Sequence, residues 1–123
     1  MNGLTLAYLG DAYYEFKIRE HLLQKGLTKV NQLHHEAVKF TAGVAQAKLI
    51  TYLRENNELS NDEENLYKRG RNAGGKGGKN IDAKTYQQAT GFEAVIGGLF
   101  LDQKERADQI IVRCINLIER GEL

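Results

Sequence analysis

No proline interrupts this chain of 123 residues, so no position is barred from continuing an α-helix. Ala, Leu, Glu, Lys, Gln and Arg, all strong helix formers, are abundant. Val and Ile do not alternate with polar residues as they would in half-buried strands. The sequence therefore predicts an all-α fold, and its length suits a single domain over residues 1–123 with a small core.

Apolar residues that recur every three or four positions define the expected helices. Ser60 and Glu63 have the spacing of a capping box, and Asp82 is a good N-cap for the helix that follows it. Lys25 followed by Gly26 is a typical helix end. The expected helices cover about 4–24, 34–55, 60–71, 83–101 and 104–120, with a short helical turn over 28–33.

Three of these helices carry a stripe of apolar residues that we expect to face the core. A cysteine in such a stripe is more typical of packing than of chemistry. The predicted stripes are Leu9, Ala12, Tyr13, Phe16 and Leu23 in the first helix; Val38, Ala42, Ala45, Leu49 and Leu53 in the second; and Ile110, Ile111, Cys114, Leu117 and Ile118 in the last.

Composition excludes several classes of protein. The formal net charge is only +1, so contact with a polyanion requires a local cluster of cations. The single cysteine cannot form an intrachain disulfide, which is typical of a reducing compartment. The apolar runs are shorter than the roughly 20 residues of a membrane span, and the N-terminus lacks a signal pattern. We expect a cytoplasmic protein with no membrane contact.

Two carboxylates stand alone inside the two most apolar stretches, Asp11 in the first helix and Glu93 in the helix over 83–101. A charge in apolar surroundings must be neutralised, paired or bound to a cation. Considered alone, Asp11 could interact favourably with the helix dipole, next to a kink at Gly10. Considered alone, Glu93 could form an ion pair with Lys or Arg of another helix. Together they favour a site for Mg²⁺, with Mn²⁺ as an alternative. Glu15, one turn after Asp11, either supports that site or faces solvent.

Basic residues are concentrated between the two carboxylates in the sequence. Such cations neutralise phosphates, and neighbouring glycines let backbone amides approach a polyanion, which favours contact with a nucleic-acid backbone. A solvated loop after a helix C-terminus, where cations are favourable without a ligand, is the alternative. Residues 68–79 contain no acid and five cations: Lys68, Arg69, Arg71, Lys76 and Lys79.

The segment from Gly70 to Lys76 fits the GxxxxGK pattern of nucleotide-binding loops. That pattern requires Ser or Thr next, where this chain has Gly77, and it requires a preceding strand, where a helix is predicted here. We therefore expect no nucleotide-binding loop.

Two motifs resemble those of ribonuclease III domains. Residues 8–12 (YLGDA) are similar to the signature helix, and residues 92–97 (FEAVIG) are similar to the second acidic motif. With residues 68–72 (KRGRN) and 79–80 (KN) before the second motif, the whole chain resembles mini-ribonuclease III. This is the short bacterial branch of the family that has no separate double-stranded-RNA-binding domain.

The resemblance implies an all-helical endonuclease that works as a homodimer with the signature helix at the interface. The implied reaction is Mg²⁺-dependent hydrolysis of double-stranded RNA to 5′-phosphate and 3′-hydroxyl ends. Large-subunit (23S) ribosomal RNA precursor is the expected substrate, with a ribosomal protein as an assisting partner. Asp11 and Glu93 match the family's metal-binding catalytic acids. We expect the RNA-binding residues to be Lys68, Arg69, Arg71, Asn72, Lys76, Lys79 and Asn80.

The chain departs from the larger ribonuclease III enzymes at two positions. Ala7 stands where they carry Glu, and Thr90 stands where they carry Asp, three residues before Glu93. Glu15 and Thr90 are the expected supporting residues around the metal, and fewer protein ligands imply more bound water. The alternatives are a non-catalytic dimer of the same fold that binds RNA or the ribosome, and a structural dimer whose acids form ion pairs.

Overall fold

The computed structural model describes residues 1–75, 77 and 81–123. These residues form helices and connecting segments without a strand, which confirms the predicted all-α fold. No helix in this part of the chain combines the length and apolar composition of a membrane span. The helices are α1 (Gly3–Gln24), α2 (Val30–Thr41), α3 (Gly43–Glu55), α4 (Asn61–Ala73), α5 (Ala83–Asp102) and α6 (Lys104–Glu119).

Capping residues set the predicted helix starts at α4 and α5. The Ser60 hydroxyl accepts from the Glu63 amide at 3.1 Å, and the Glu63 carboxylate accepts from the Ser60 amide at 2.9 Å. Asp82 accepts from the Thr85 amide at 2.8 Å. The predicted bounds of α1, α4, α5 and α6 are therefore confirmed to within about two residues.

The single long helix predicted over 34–55 is wrong. Ala42 adopts an extended conformation with φ −60° and ψ 146°, and it separates α2 from α3. The next residue is glycine, and a Cβ added to Gly43 would lie 2.6 Å from Cδ1 of Ile81. The break thus lets the start of α3 pack against the segment that enters α5. It also leaves Val38, predicted to face the core, exposed.

The apolar stripe predicted for α1 is wrong as well. Phe16 and Leu23 are 58% and 55% exposed. The helix is apolar on more than one face, and its buried face includes glycines, which a search for large apolar residues passes over. The buried residues, most of them four apart, are Gly3, Leu6, Ala7, Gly10, Tyr14, Ile18 and Leu22.

Helix α5 lies at the centre of the fold, with α1, α3, α4 and α6 packed around it. Every residue from Ala89 to Leu99 is buried except Glu93, which is half-buried. A helix that is apolar on all sides is typical of a core position. Glu93 is therefore the one charged residue in this stretch, and the one that is not fully buried.

The closest approach of α1 and α5 is a contact between two glycines. A Cβ added to Gly10 would lie 2.8 Å from the backbone nitrogen of Gly97, and one added to Gly97 would lie 3.0 Å from that of Gly10. Either Cβ would also overlap with a carbonyl oxygen of the facing helix, that of Glu93 or Leu6 respectively. Glycine inside a helix costs roughly 1 kcal/mol relative to alanine, and close backbone approach is what these glycines permit.

We predict that Gly97→Ala lowers the free energy of unfolding by about 1–3 kcal/mol or more, because the new methyl group overlaps with α1. Urea denaturation measures this change. Gly75→Ala is the control, since a Cβ there meets no atom of the described residues within 4 Å, and it should stay within about 0.5 kcal/mol of the wild type. Equal stability of the two variants would show that the helices tolerate a wider separation.

Candidate metal-dependent active site

The crossing of α1 and α5 brings Asp11 and Glu93 together. Asp11 directly follows Gly10, and the backbone carbonyl of Glu93 lies at the glycine contact. The carboxyl groups of Asp11 and Glu93 are within hydrogen-bonding reach of each other. Two acids separated by most of the sequence thus share one site.

The two acids differ in exposure. We expected both to lie in apolar surroundings, but the structure leaves Asp11 exposed and Glu93 half-buried. The reason is the orientation of α1, which turns Gly10 towards α5 and places Asp11 at the rim of the helix contact. The site therefore has a recessed carboxyl and a carboxyl open to solvent.

The electrostatics of the site disfavour a free carboxylate pair. Burial raises the pKa of Glu93, the adjacent Asp11 carboxyl raises it further, and the pKa reaches about 9. A hydrogen bond from Gln46 acts in the opposite direction, and the charge of Glu15 adds a smaller upward effect. At neutral pH such a pair holds a proton or accepts a cation.

The donor set fits a hard cation with open coordination positions. Both groups offer carboxylate oxygens, and Mg²⁺ is commonly held by one or two carboxylates, with water and substrate phosphate completing its coordination. Among the described residues, no group of three or more His, Cys, Asp and Glu side chains could enclose a metal ion. The arrangement suits Mg²⁺ or Mn²⁺ and does not suit a closed zinc site.

Gln46 is a site residue that the sequence analysis missed. It lies on α3, is only 3% exposed, and its side chain lowers the pKa of Glu93. Leu49, Ile50 and Leu53 follow it on the same buried face of α3. The sequence signal that could have identified Gln46 is a polar residue on the apolar face of a predicted helix.

The two predicted supporting residues occupy different environments. Glu15 is partly exposed and accepts a hydrogen bond from Arg19 at 3.2 Å, while its charge reaches Glu93. Thr90 is buried, and its hydroxyl donates to the Tyr86 carbonyl at 3.0 Å. Among the described residues, Thr90 packs against the end of α4 and makes no hydrogen bond to the Glu93 carboxyl.

Ala7, where the larger enzymes carry Glu, is also closed off by packing. It is buried in a small cluster with Leu6 and Ala94. Neither Ala7 nor Thr90 therefore offers a charged oxygen to the site. Among the described residues at this helix crossing, the candidate metal ligands are therefore Asp11 and Glu93.

The basic end of α4 lies beside the turn of α5 that precedes Glu93. A Cβ added to Gly70 would lie 2.8 Å from the Thr90 carbonyl oxygen. Gly70 is inside α4 rather than in a loop after a strand, so the GxxxxGK pattern is not a nucleotide-binding loop. The backbone contact places the cations of α4 on the flank of the site.

The predicted RNA-binding residues fall into two groups. Lys68, Arg69 and Asn72 are exposed on α4, and Arg69 donates a hydrogen bond to the Met1 carbonyl. The Arg71 guanidinium lies 5.6 Å from the ring centre of buried Tyr67, and its Nε donates to Asn72 Oδ1 at 3.3 Å. The remaining three, Lys76, Lys79 and Asn80, lie outside the described residues.

Comparisons with known proteins agree with this architecture. The family model of the Ribonuclease III domain matches residues 4–104. Mini-ribonuclease 3 of Acholeplasma laidlawii is 46% identical over 121 residues, covering 98% of this chain and 97% of the relative. Mini-ribonuclease 3 of Streptococcus pneumoniae is also 46% identical, covering 97% and 94%.

A solved structure has the same fold. Protein FN1578 from Fusobacterium nucleatum superposes with a TM-score of 0.82 at 29% identity, covering 100% of this chain and 95% of the other. The helical arrangement and the two acidic motifs thus coincide with a family model that spans most of the chain. The chain belongs to the ribonuclease III family, in its mini-ribonuclease III branch.

Proposed function

We propose that this ribonuclease III family endoribonuclease hydrolyses double-stranded RNA in a Mg²⁺-dependent reaction that leaves 5′-phosphate and 3′-hydroxyl ends. The observation that carries the proposal is the pairing of Asp11 with Glu93 at the crossing of α1 and α5. Two like-charged acids at a solvent-open site favour a bound cation over an empty pair. Their oxygens would hold Mg²⁺ on the surface that an RNA phosphate reaches.

Each acid has a distinct part in this mechanism. Glu93 is recessed in the central helix, so its carboxylate would fix the position of the ion relative to the fold. Asp11 is exposed and would present its oxygens beside the incoming phosphate. When bound, Mg²⁺ supplies a Lewis acid that offsets phosphate charge and lowers the pKa of bound water. Water and substrate would complete its coordination.

The cations of α4 would hold the RNA backbone. Duplex RNA is recognised mainly by its shape, phosphates and 2′-hydroxyl groups. Lys68 is exposed, and Arg71 is oriented by the Tyr67 ring at the end of the helix that flanks the site. Arg69 and Asn72 belong to the same proposed surface, and so do Lys76, Lys79 and Asn80 on sequence grounds.

A homodimer is the proposed working state. Leu4, Tyr8 and Phe16 are large apolar residues on one exposed face of α1, and Tyr8 is 83% exposed. A second copy covering this face would remove it from water, and a two-fold assembly suits the two strands of a duplex. On the likeness to the mini-ribonuclease III branch, we further propose action in the cytoplasm on large-subunit (23S) ribosomal RNA precursor, with a ribosomal protein assisting.

We predict that the wild type cleaves a labelled RNA duplex with Mg²⁺, and that Glu93→Gln slows cleavage by about 10²–10³-fold because it removes a charged oxygen from the site. Denaturing gels measure the rate and the products. Glu105→Gln is the matched control, since Glu105 is an exposed acid on α6, and it should cut at the wild-type rate. A wild type that shifts the duplex on a native gel without cutting it would favour the RNA-binding alternative.

We also predict that Lys68→Ala combined with Arg71→Ala weakens duplex binding and flattens the plot of log K against log salt by about 2, because each phosphate contact releases about one counterion. Binding is measured in the Glu93→Gln background to prevent cleavage. Lys39→Ala combined with Lys48→Ala removes the same charge from α2 and α3 as a control. If the two double variants have equal slopes, the α4 surface does not contact the backbone.

A further inference from the structure

We infer that Tyr67 is a positioning residue for the substrate, whose ring holds the Arg71 guanidinium in place for a two-point contact with an RNA phosphate beside the two acids. This inference rests on the proposed function and deepens it, because it separates Arg71 from the other cations of α4 and gives it a defined partner. Three observations carry it: the packing of α4 against the turn of α5 that contains Glu93, the position of Arg71 over the Tyr67 ring, and the ion pair of the second arginine at that ring.

The packing of α4 on α5 places Arg71 next to the site. A Cβ added to Gly70 would lie 2.9 Å from Cα of Gly91, so the two backbones are in close contact here. Glu93 lies in the same turn of α5, and Arg71 directly follows Gly70. A close contact at a glycine thus places Arg71 on the flank of the site, as another glycine contact places Asp11 at its rim.

Tyr67 occupies a fixed position at this helix contact. It is 1% exposed, and a Cβ added to Gly91 would lie 2.5 and 2.6 Å from Cδ1 and Cε1 of its ring. The ring therefore lies against bare backbone of α5, two residues before Glu93. A group that the Tyr67 ring holds takes its position from the central helix.

Arg71 is held by a neutral ring rather than by a carboxylate. Its guanidinium carbon lies 5.6 Å from the centre of the Tyr67 ring, and a cation within about 6 Å is attracted by the face of the ring. An arginine stacked on a ring keeps its N–H groups available for two parallel hydrogen bonds to a phosphate. Among the described residues, Arg71 forms no ion pair, and its Nε donates to Asn72 Oδ1 at 3.3 Å. Its charge is therefore available to an anionic ligand.

The second arginine at the Tyr67 ring is neutralised. The Arg54 guanidinium carbon lies 4.3 Å from the ring centre, and both carboxylate oxygens of Glu64 accept from Arg54 Nε at 3.1 Å. Arg54 thus forms an ion pair that connects α3 to α4. The contact of the ring with Arg54 has a structural explanation, whereas no acid of the described residues neutralises Arg71.

The first test replaces the guanidinium with an ammonium group. Arg71→Lys keeps the charge, but lysine binds phosphate as a point charge and not through a planar fork. In the Glu93→Gln background, we expect the Kd for a labelled RNA duplex to rise about 3–10-fold, while the slope of log K against log salt stays unchanged. Arg120→Lys, at an exposed position after α6, is the matched control and should leave the Kd unchanged.

The second test determines whether Tyr67 acts through Arg71. Tyr67→Met removes the ring and should raise the Kd for the duplex about 3–10-fold, whereas Tyr67→Phe keeps the ring and should stay within about twofold of its parent protein. Added to Arg71→Ala, Tyr67→Met should have no further effect on the Kd. A merely structural role of Tyr67 predicts instead that its loss weakens binding equally with and without Arg71.

Nuclear magnetic resonance tests the contact in the wild type and does not depend on the folding of a Tyr67 variant. The ring current of Tyr67 should shift the Arg71 side-chain protons away from the positions typical of an exposed arginine. Unshifted resonances would show that the ring does not hold Arg71 and would overturn the inference.

The outcomes separate this inference from the proposed function. If the wild type cuts the duplex with Mg²⁺ but Arg71→Lys binds as tightly as its parent, Arg71 is a point charge, and the inference is overturned while the proposed function stands. An effect of Tyr67→Met that persists in the Arg71→Ala background overturns it in the same way. A wild type that neither binds nor cuts the duplex would overturn both.

Discussion

The contact between Gly10 and Gly97 is the constraint on which the rest of the structure depends. Without side chains at these two positions, the backbones of α1 and α5 approach until a Cβ on either glycine would overlap with the facing helix. Asp11 follows one of these glycines, and Glu93 precedes the other by one helical turn. The spacing of the two carboxyls is therefore a consequence of helix packing, and the packed core fixes the positions of both acids.

The same packing gives the two acids unequal environments. Glu93 is the only residue between Ala89 and Leu99 that is not fully buried, whereas Asp11 lies at the solvent edge. A recessed acid beside a like charge is unfavourable for the metal-free fold, and its raised pKa of about 9 reflects that cost. Functional sites are commonly places where stability is lost for the sake of chemistry. The Gln46 side chain acts in the opposite direction and lowers the pKa of Glu93.

Much of this architecture could be predicted from local chemistry in the sequence. The Ser60 and Asp82 caps indicated where α4 and α5 begin, and the apolar neighbours of Asp11 and Glu93 indicated that the two acids were unusual. The break at Ala42 could not be predicted, because no proline marks it and the residue that Gly43 packs against, Ile81, is distant in the sequence. The buried face of α1 was missed because the contact is made by glycine. Gln46 was missed because it lies on the buried face of α3, where apolar residues were expected.

The most direct test of this account is a crystal structure of the protein soaked with Mn²⁺ and measured at a wavelength that gives anomalous signal from manganese. We predict an anomalous peak in contact with carboxylate oxygens of both Asp11 and Glu93, where the two glycines bring α1 and α5 together. A Glu93 carboxylate paired with a lysine or arginine, with no manganese between the two acids, would contradict the central claim.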